Sequence, residues 1–583
     1  MRRWLKYVKP YLPFFILGPV CMVIEVIGEV LMPKLLSIVI NSANEGTLTV
    51  GGSIGVCALM ILCALLMMGG GIGGAYFGAK ASVNFATDVR RDAYYHIQRY
   101  SFANIDRFST GSIVTRLTND VTQLQNFVNM LLRMALRSPG MMIGGIIMAI
   151  TLKPSLATVL CVTIPMMFLC ILGIIFIGFP RFAKMQSKID SLNSTVRENV
   201  TNVRVVKSFV REDLEIKKFK GANENLKSAG MHAVKVMIFI MPLMNLFMYA
   251  TIIAVVWFGH GIILDGGMAP GDLTAFVAYV NQILFSLMMV TMLFMTSSRA
   301  FASAKRICEI LDEKLDLSDE GAEHPEKKIE KGDIEFKNVS FRYYKNSDES
   351  VLDNINLRIN AGSTVGIIGS TGCGKTTLIS MIPRLYDVDA GEVLVDGVNV
   401  KDYSLRNLRD GIGMVLQKNL LFSGTISENL RWGDINATDE EIKTAAEHAA
   451  ADKFVSTFKD GYESLLDKGG ANVSGGQKQR LCIARALIKK PKILILDDST
   501  SAVDTATEKQ IRAAFKNDLP DCTKIIIAQR ISSVMEADTI VVMNDGVITG
   551  MGTHEFLLKN NTEYSEIYNS QMENNAQTGK EQA

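Results

Sequence analysis

The fold is decided by residues 491–504, which read PKILILDDSTSAVD. The four apolar residues 493–496 are typical of a strand that is buried on both faces of a parallel sheet. A strand of this kind ends at a carboxylate that can hold a nucleotide-bound Mg²⁺, and here that carboxylate is Asp497. Asp498 follows directly, so two acidic groups stand at the end of the strand. The stretch predicts an α/β nucleotide-binding domain with a metal site at one edge of its sheet.

A second motif, earlier in the chain, predicts the phosphate-binding loop of the same domain. After the apolar stretch 364–368 the sequence reads GSTGCGKTT, which fits the pattern G-x-x-x-x-G-K-[ST]. Its glycines let backbone N–H groups surround phosphates, and the following helix directs its positive end at them. Lys375 is predicted to reach the β- and γ-phosphates, and the Thr376 hydroxyl to ligate Mg²⁺. The predicted ATP-binding residues of this loop are Gly369, Ser370, Thr371, Gly372, Cys373, Gly374, Lys375, Thr376 and Thr377.

A third motif distinguishes between classes of P-loop proteins. A Ser-Gly-Gly turn opens a helix that continues KQRLCIARAL, and such a turn is a second anion cradle. It resembles the LSGGQ signature of ABC (ATP-binding cassette) transporters, with Val473 in place of the leucine. The signature residues are Ser474, Gly475, Gly476 and Gln477.

The resemblance to ABC transporters implies roles for other residues, which occur in the family's order. Tyr343 is similar to the aromatic residue that stacks on adenine. Gln417 corresponds to the glutamine between the Mg²⁺ site and the membrane domain, so it joins Thr376 and Asp497 as a predicted Mg²⁺ ligand. Residues 501–504, including Asp504, resemble the loop that contacts the opposite subunit.

The resemblance also implies that two cassettes close head to tail, each ATP lying between the P-loop of one chain and the signature turn of the other. In this family a glutamate that activates water usually follows the strand carboxylate, but this chain has the shorter Asp498. The strand 525–528 ends in Gln529, where the family has a histidine that contacts the γ-phosphate. A misplacement near 1 Å can cost roughly a hundredfold in rate, and an amide carries no proton or positive charge. We therefore predict that Asp498 and Gln529 are degenerate catalytic residues.

The N-terminal half predicts an α-helical membrane domain, because 48% of the 583 residues are hydrophobic and six apolar stretches occur there. Most of these approach or exceed the roughly 20 residues that cross about 30 Å of hydrocarbon. The six predicted spans are residues 13–40, 54–77, 137–151, 156–179, 236–259 and 275–295. The third is short, so we expect it to begin near Asn129, with Arg133 and Arg137 at the membrane interface.

The charge of the connecting loops predicts the orientation of these spans. The short loops 41–53, 151–155 and 260–271 contain one Lys or Arg, which is Lys153. The opening residues and the stretches 80–137 and 181–235 are rich in Lys and Arg. The positive-inside rule therefore places both termini and the long loops in the cytoplasm, in a multi-pass protein of the cytoplasmic membrane.

Together these features predict five segments along the chain. They are an interfacial helix over 1–11, a transmembrane domain with long cytoplasmic helical extensions over 12–311, a linker over 312–333, the nucleotide-binding domain over 334–570, and a disordered tail over 571–583. Within the transmembrane domain, residues 102–121 and 207–219 resemble the family's two coupling segments, and Phe209 is a candidate anchor in the cassette groove.

The first span carries two acidic residues that are candidates for a substrate cavity. Glu25 and Glu29 lie one helical turn apart and share a face. Acidic groups inside a membrane are costly and usually face a cavity or a partner. We expect them to attract cations in a drug cavity, or to pair with a basic group on the partner chain, or to lie near the headgroups. For His260, Asn281 and Gln282, helix-to-helix hydrogen bonding is the expected role.

These features predict one half of a heterodimeric ABC exporter that binds ATP and Mg²⁺ and hydrolyses ATP slowly at its own site. The expected partners are a second half-transporter chain, membrane lipid, and a small-molecule or lipid-like substrate, with no nucleic acid. Nine scattered cysteines without metal-like spacing predict free thiols. Three alternatives remain open, namely a self-sufficient homodimeric exporter, a siderophore-type importer on the same fold, and an ATP-gated channel or regulator.

Overall fold

The computed structural model describes residues 2–46, 50–344, 349–498 and 503–581. The chain divides into two compact units, each described separately below. The helical unit comprises Met1–Gln98 and Thr110–Asp312, and the α/β unit comprises Arg99–Ser109 and Glu313–Ala583.

Long helices form the helical unit, and one short helix from this half of the chain belongs to the α/β unit. The helices before residue 313 are α1 (Arg2–Val8), α2 (Leu12–Asn44), α3 (Val50–Gln98), α4 (Phe102–Arg107), α5 (Thr110–Thr115), α6 (Val121–Met134), α7 (Arg137–Leu152), α8 (Pro154–Thr201), α9 (Val203–Ser208), α10 (Glu212–Ile238), α11 (Ile240–Leu264) and α12 (Pro270–Asp312). Of these, α4 belongs to the α/β unit.

Six stretches of the helical unit are long and apolar enough to cross a membrane, as the sequence predicts. They are Arg3–Asn44, Val50–Gln98, Thr110–Leu152, Pro154–Thr201, Glu212–Leu264 and Pro270–Asp312. The third begins well before residue 137, because α6 and α7 follow one another with a break of two residues at 135–136.

Glycines allow α2 and α3 to approach closely. A Cβ added at Gly70 would lie 2.7 Å from the carbonyl oxygen of Cys21, and one at Gly74 would lie 2.3 Å from Met22 Cε. Small residues one turn apart on α3 thus form a surface on which α2 packs directly, as in other membrane helix pairs. This packing fixes the position of Glu25 along α3, because its side chain lies beside Gly71.

The described residues of the α/β unit form three sheets. Its strands are β1 (Ile334–Phe341), β2 (Leu352–Ile359), β3 (Thr364–Gly369), β4 (Ala390–Val395), β5 (Val398–Asn399), β6 (Ile412–Val415), β7 (Gly424–Thr425), β8 (Leu465–Leu466), β9 (Ile493–Asp497), β10 (Thr523–Ile527), β11 (Thr539–Asn544) and β12 (Val547–Gly552). Six strands form the central sheet in the order β12-β11-β3-β10-β9-β6, in which only β12 is antiparallel to its neighbour. A second, antiparallel sheet has the order β2-β1-β4-β5, and β7 pairs with β8.

Helices cover the central sheet and bury its core strands. They are α13 (Lys375–Met381), α14 (Leu405–Asp410), α15 (Ile426–Leu430), α16 (Asp439–His448), α17 (Asp452–Val455), α18 (Gly475–Ile488), α19 (Thr505–Asp518), α20 (His554–Asn560) and α21 (Thr562–Glu581). All five residues of β9 are buried, and so are all five of β10. The fully apolar run 493–496 therefore forms the two-sided strand that the sequence predicts.

The C-terminal segment differs from its prediction. Residues 571–583 are predicted to be a disordered tail, whereas α21 continues through this region to Glu581. The helix is anchored earlier, at Tyr564, whose side chain is fully buried. Once a helix is nucleated it adds residues at little cost, and no proline interrupts this sequence.

Candidate functional site

The predicted phosphate loop lies between β3 and α13 and has the backbone shape of an anion cradle. Gly369 has φ +156°, and a Cβ there would lie 2.0 Å from the carbonyl oxygen of Met543. Gly374, at the start of α13, has φ +96°. Both positions therefore require glycine, because a side chain would collide with the backbone or strain it. The loop wraps a space into which N–H groups of its backbone can point, which fits the phosphates of ATP.

Lys375 lies over this loop. Its Nζ donates hydrogen bonds to the carbonyl oxygens of Gly369 at 2.9 Å and Ser370 at 2.7 Å. The ammonium group is thus held next to the cradle, where it can neutralise phosphate charge. Cys373, in the same loop, is buried, with its sulfur 3.6 Å from Lys375 Nζ.

The predicted metal ligands come together at the end of β9. The Thr376 hydroxyl donates to Asp497, with its Oγ1 at 3.1 Å and 3.0 Å from the two carboxylate oxygens. Mg²⁺ prefers hard oxygen ligands and is usually bound by one or two protein groups together with nucleotide phosphates. A hydroxyl and a carboxylate beside a phosphate cradle fit that donor set. When bound there, Mg²⁺ would neutralise charge that develops on the phosphates.

Asp498 and Gln529, the two residues predicted to be degenerate, form a hydrogen-bonded pair. Gln529 Nε2 donates to Asp498 Oδ2 at 2.8 Å. The pairing follows from sheet order, because β9 and β10 are parallel neighbours in which Ile527 lies opposite Asp497. The residues just beyond both strand ends therefore meet at the carboxyl edge of the sheet, where α/β folds bind ligands.

Burial raises the pKa of both carboxyl groups at this edge. For Asp497 the hydrogen bond from Thr376 opposes the effect of burial, whereas the charge of Asp498 adds to it. For Asp498 the positive charges of Lys375 and Arg530 act against burial, and so does a hydrogen bond from Gln417. The predicted ligand Gln417 is thereby placed at the same edge. A divalent cation bound beside these two adjacent, partly desolvated carboxyl groups would stabilise their charged forms.

Tyr343 offers an aromatic face beside the phosphate loop. Its ring is 44% exposed, and its hydroxyl lies 3.0 Å from Thr377 Oγ1 on α13. The rings of Phe341 and Tyr386 support it edge-on at centroid distances of 5.0 Å and 5.3 Å. An exposed, braced ring at this place fits the predicted stacking on adenine.

The signature turn lies at the start of α18 and has its own cavity. Ser474 Oγ accepts from the Gln477 N–H at 3.3 Å, and Gln477 Oε1 accepts from the Ser474 N–H at 2.9 Å, which is a capping box. A cavity of about 480 Å³ opens there, and it is lined by Ser474, Gly475, Gly476, Arg480, Val503 and Asp504. Asp504 also caps α19 through its bond with the Thr507 N–H at 2.9 Å. The structure thus brings the signature turn and the predicted inter-subunit residue into one site.

Several residues near these sites were not identified from the sequence. Gln479 is buried on α18, and its Nε2 donates to the Asp498 carbonyl oxygen at 3.3 Å, which links α18 to the pair of Asp498 and Gln529. Gln571 on α21 bonds the backbone on both sides of Arg530. Such amide-to-backbone bonds leave no periodic signal in a sequence.

In the α/β unit, α4, which lies in the predicted first coupling segment, packs beside Tyr386, one of the rings around Tyr343. Tyr386 donates to Asp106 Oδ2 at 2.8 Å, and the rings of Tyr386 and Phe102 lie 6.1 Å apart. Asn104 is fully buried, and its Nδ2 donates to the carbonyl oxygen of Lys314 at 2.8 Å. In the helical unit, Phe209 of the second segment, the candidate anchor in the cassette groove, is 71% exposed.

In the helical unit, Glu25 and Glu29 pair with an arginine of their own chain. Arg137 Nη2 lies 3.2 Å from Glu25 Oε1 and 3.1 Å from Glu29 Oε1, and all three side chains are at least three-quarters buried. Arg137, which the sequence predicts to lie at the membrane interface, thus contacts both carboxylates through its guanidinium group. Gln282 Nε2 donates to the Glu29 carbonyl oxygen at 2.8 Å, which is the helix-to-helix bond expected for it.

Comparison with known proteins places both units in one group. Residues 15–288 match the family described as ABC transporter transmembrane region, and residues 352–501 match the family described as ABC transporter. The chain is 37% identical over 575 residues to the uncharacterized ABC transporter ATP-binding protein YfiB of Bacillus subtilis, covering 98% of each chain. It is 34% identical over 486 residues to the ATP-dependent lipid A-core flippase of Desulfotalea psychrophila, covering 83% of this chain and 84% of that protein.

A solved structure shows the same fold. The structure of a bacterial Atm1-family ABC exporter with ATP bound superposes with a TM-score of 0.77 at 24% sequence identity, covering 96% of this chain and 98% of that chain.

Proposed function

This chain belongs to the ABC transporter family, and from that premise we propose that it is one half of a heterodimeric exporter whose own ATP site hydrolyses slowly. The exporter would move hydrophobic or amphipathic compounds across the cytoplasmic membrane. The observation that carries the proposal is the hydrogen bond between Gln529 and Asp498 at 2.8 Å.

The paired side chains explain slow hydrolysis at this site. Asp498 is one methylene shorter than glutamate, so its carboxylate lies farther from a water molecule that is positioned for a glutamate to activate. A misplacement of this kind costs roughly a hundredfold in rate. The Gln529 amide holds one oxygen of that carboxylate and cannot supply a proton. The rest of the site supports tight binding, because Lys375, Thr376 and Asp497 are all in position.

Head-to-tail closure of two cassettes would give the dimer one weak and one strong site. The signature turn of this chain serves the other composite site, and its capping box and cavity are intact. A partner with glutamate and histidine would hydrolyse ATP there. ATP kept at the weak site would favour the closed state by differential binding, and turnover of the partner would reset the cycle.

The substrate cavity is proposed to include Glu25 and Glu29. Arg137 brings one formal positive charge to two carboxyl groups, so we propose that the cluster presents an excess of negative charge. An amphipathic cation would be attracted by that charge. The flippase among the similar proteins favours lipid-like compounds as a second substrate class. The Glu25→Gln, Glu29→Gln variant should lose export of cationic compounds and keep that of neutral ones, and equal loss of both would contradict this role.

The experiment that tests export uses inverted membrane vesicles. With both termini and cassettes on the cytoplasmic side, ATP added outside such vesicles should drive accumulation of a fluorescent amphipathic cation. The Lys375→Ala variant should abolish it. Accumulation only in right-side-out vesicles that are loaded with ATP would favour a siderophore-type importer, and flux down a gradient with a non-hydrolysable ATP analogue would favour a channel.

The oligomeric state tests the heterodimer separately. We expect the chain purified from its native membrane to carry a second half-transporter chain in equal amount. Recovery of a homodimer with brisk ATP hydrolysis would favour the self-sufficient exporter instead.

A further inference from the structure

We propose that Gln571 on the C-terminal helix is a positioning residue for Gln529, and thereby sets how strongly this chain's site distinguishes ATP from ADP. The inference rests on the proposed function, in which Gln529 stands where the family's histidine contacts the γ-phosphate and can itself donate a hydrogen bond to that phosphate. It adds a role for α21 that the chemistry of ATP hydrolysis does not itself require.

One amide side chain holds the backbone on both sides of Arg530. Gln571 Nε2 donates to the Gln529 carbonyl oxygen at 2.8 Å, and Gln571 Oε1 accepts from the Ile531 N–H at 2.8 Å. Both bonds have good lengths for N–H···O geometry. They fix the loop that follows β10, on which the Gln529 side chain is carried.

The helix that presents Gln571 is firmly attached to the α/β unit. The fully buried Tyr564 has its hydroxyl 2.7 Å from His554 Nδ1. Glu563 accepts from Asn544 at 3.0 Å and from Thr549 at 2.6 Å. Because Tyr564 and Gln571 are seven residues apart, they lie on the same helical face. The anchor therefore directs Gln571 toward the loop.

From this loop the connection continues to the catalytic edge of the sheet. The Gln529 side chain donates to Asp498 Oδ2 at 2.8 Å, and the Asp498 carbonyl oxygen accepts from Gln479 at 3.3 Å. Gln479 lies on the signature helix α18. Gln571 is thus connected by a series of hydrogen bonds, through Gln529 and Asp498, to helix α18. The signature turn of that helix serves the other composite site.

The test compares binding of two nucleotides by the full-length chain in lipid nanodiscs. Affinities for ADP and for a non-hydrolysable ATP analogue are measured for the unmodified chain, for Gln571→Ala and for the exposed control Asn569→Ala on the same helix. Loss of the clamp frees Gln529, so Gln571→Ala should lower the ratio of ATP-analogue to ADP affinity by about five- to tenfold. Asn569→Ala should leave the ratio unchanged.

A double-mutant cycle shows whether the effect passes through Gln529. In a Gln529→Ala background, Gln571→Ala should change the ratio no further, because the group it positions is gone. The inference is overturned if the ratio stays at its original value in Gln571→Ala, if both affinities fall together, or if the two substitutions are additive. The proposal of slow hydrolysis is tested by a separate measurement, and brisk turnover of ATP by the unmodified chain would contradict it.

Discussion

Replacing Asn104 by alanine should release the coupling helix α4 from the α/β unit. The side chain is fully buried and makes hydrogen bonds in both directions. Its Nδ2 donates to Lys314 O at 2.8 Å and Glu313 Oε1 at 3.2 Å, and its Oδ1 accepts from the Asp316 N–H at 3.4 Å. The same oxygen accepts from the N–H and the hydroxyl of Ser101, at 3.2 Å and 3.0 Å.

The size of the effect follows from these contacts. Each net hydrogen bond contributes about 1 kcal/mol, and bonds that share one acceptor are not additive, so Asn104→Ala should cost about 3 kcal/mol. A cost of this size raises the ratio of released to docked α4 by roughly a hundredfold or more. Arg107→Ala is the matched control, because its ion pair with Glu313 at 2.6 Å is 61% exposed on the arginine side and contributes little.

Hydrogen exchange measures this prediction directly. Amides of residues 102–107 should exchange about a hundredfold faster in Asn104→Ala and nearly unchanged in Arg107→Ala. Transport should fall while ATP hydrolysis by the assembled transporter, at the partner's site, persists, because the cassette itself is intact. Exchange in Asn104→Ala as slow as in Arg107→Ala would refute the reasoning.

Three further predictions concern single sites. Thr376→Val removes the hydroxyl beside Asp497, so the Mg²⁺-dependent gain in ATP affinity should fall about tenfold, while Mg²⁺-free binding is unchanged in the same titration. Burial raises the pKa of Asp396, but four backbone N–H bonds outweigh it and lower that pKa below 3.8. The ionised Asp396 carboxylate therefore stabilises the fold fully above pH 3.8, and this stabilisation is lost at lower pH. On acidification, the unfolding temperature of Asp396→Asn should fall less than that of the unmodified chain. Arg137→Gln leaves two carboxylates facing each other without their cation, so the unfolding temperature should drop by several degrees and recover in part with Glu29→Gln.

What the sequence predicts well are the features coded by local pattern. The apolar run 493–496 forms the fully buried β9, and the glycines at 369 and 374 take the positive φ that a phosphate loop needs. The six spans also follow directly from hydropathy. In each case composition over a short window determines the structure.

Contacts between distant segments could not be predicted in the same way. Arg137 is more than a hundred residues from Glu25 and Glu29, and only the packing of α7 against α2 brings them together. Asp498 and Gln529 are each recognisable as departures from a family pattern, but their hydrogen bond depends on β9 and β10 being neighbours. Residues 571–583 were predicted as a disordered tail from their polar composition, whereas α21 begins at Thr562, inside the predicted nucleotide-binding domain, and continues to Glu581.

The most direct test of the proposed slow hydrolysis is ATP turnover by this chain and by the Asp498→Glu, Gln529→His variant, measured in the same lipid nanodiscs. The account predicts tight ATP binding with almost no turnover in the unmodified chain. The double variant, which restores a longer carboxylate and a group able to carry a proton, should hydrolyse at least about a hundredfold faster. Brisk hydrolysis by the unmodified chain, equal to that of the variant, would contradict the account and leave Asp498 as a competent base.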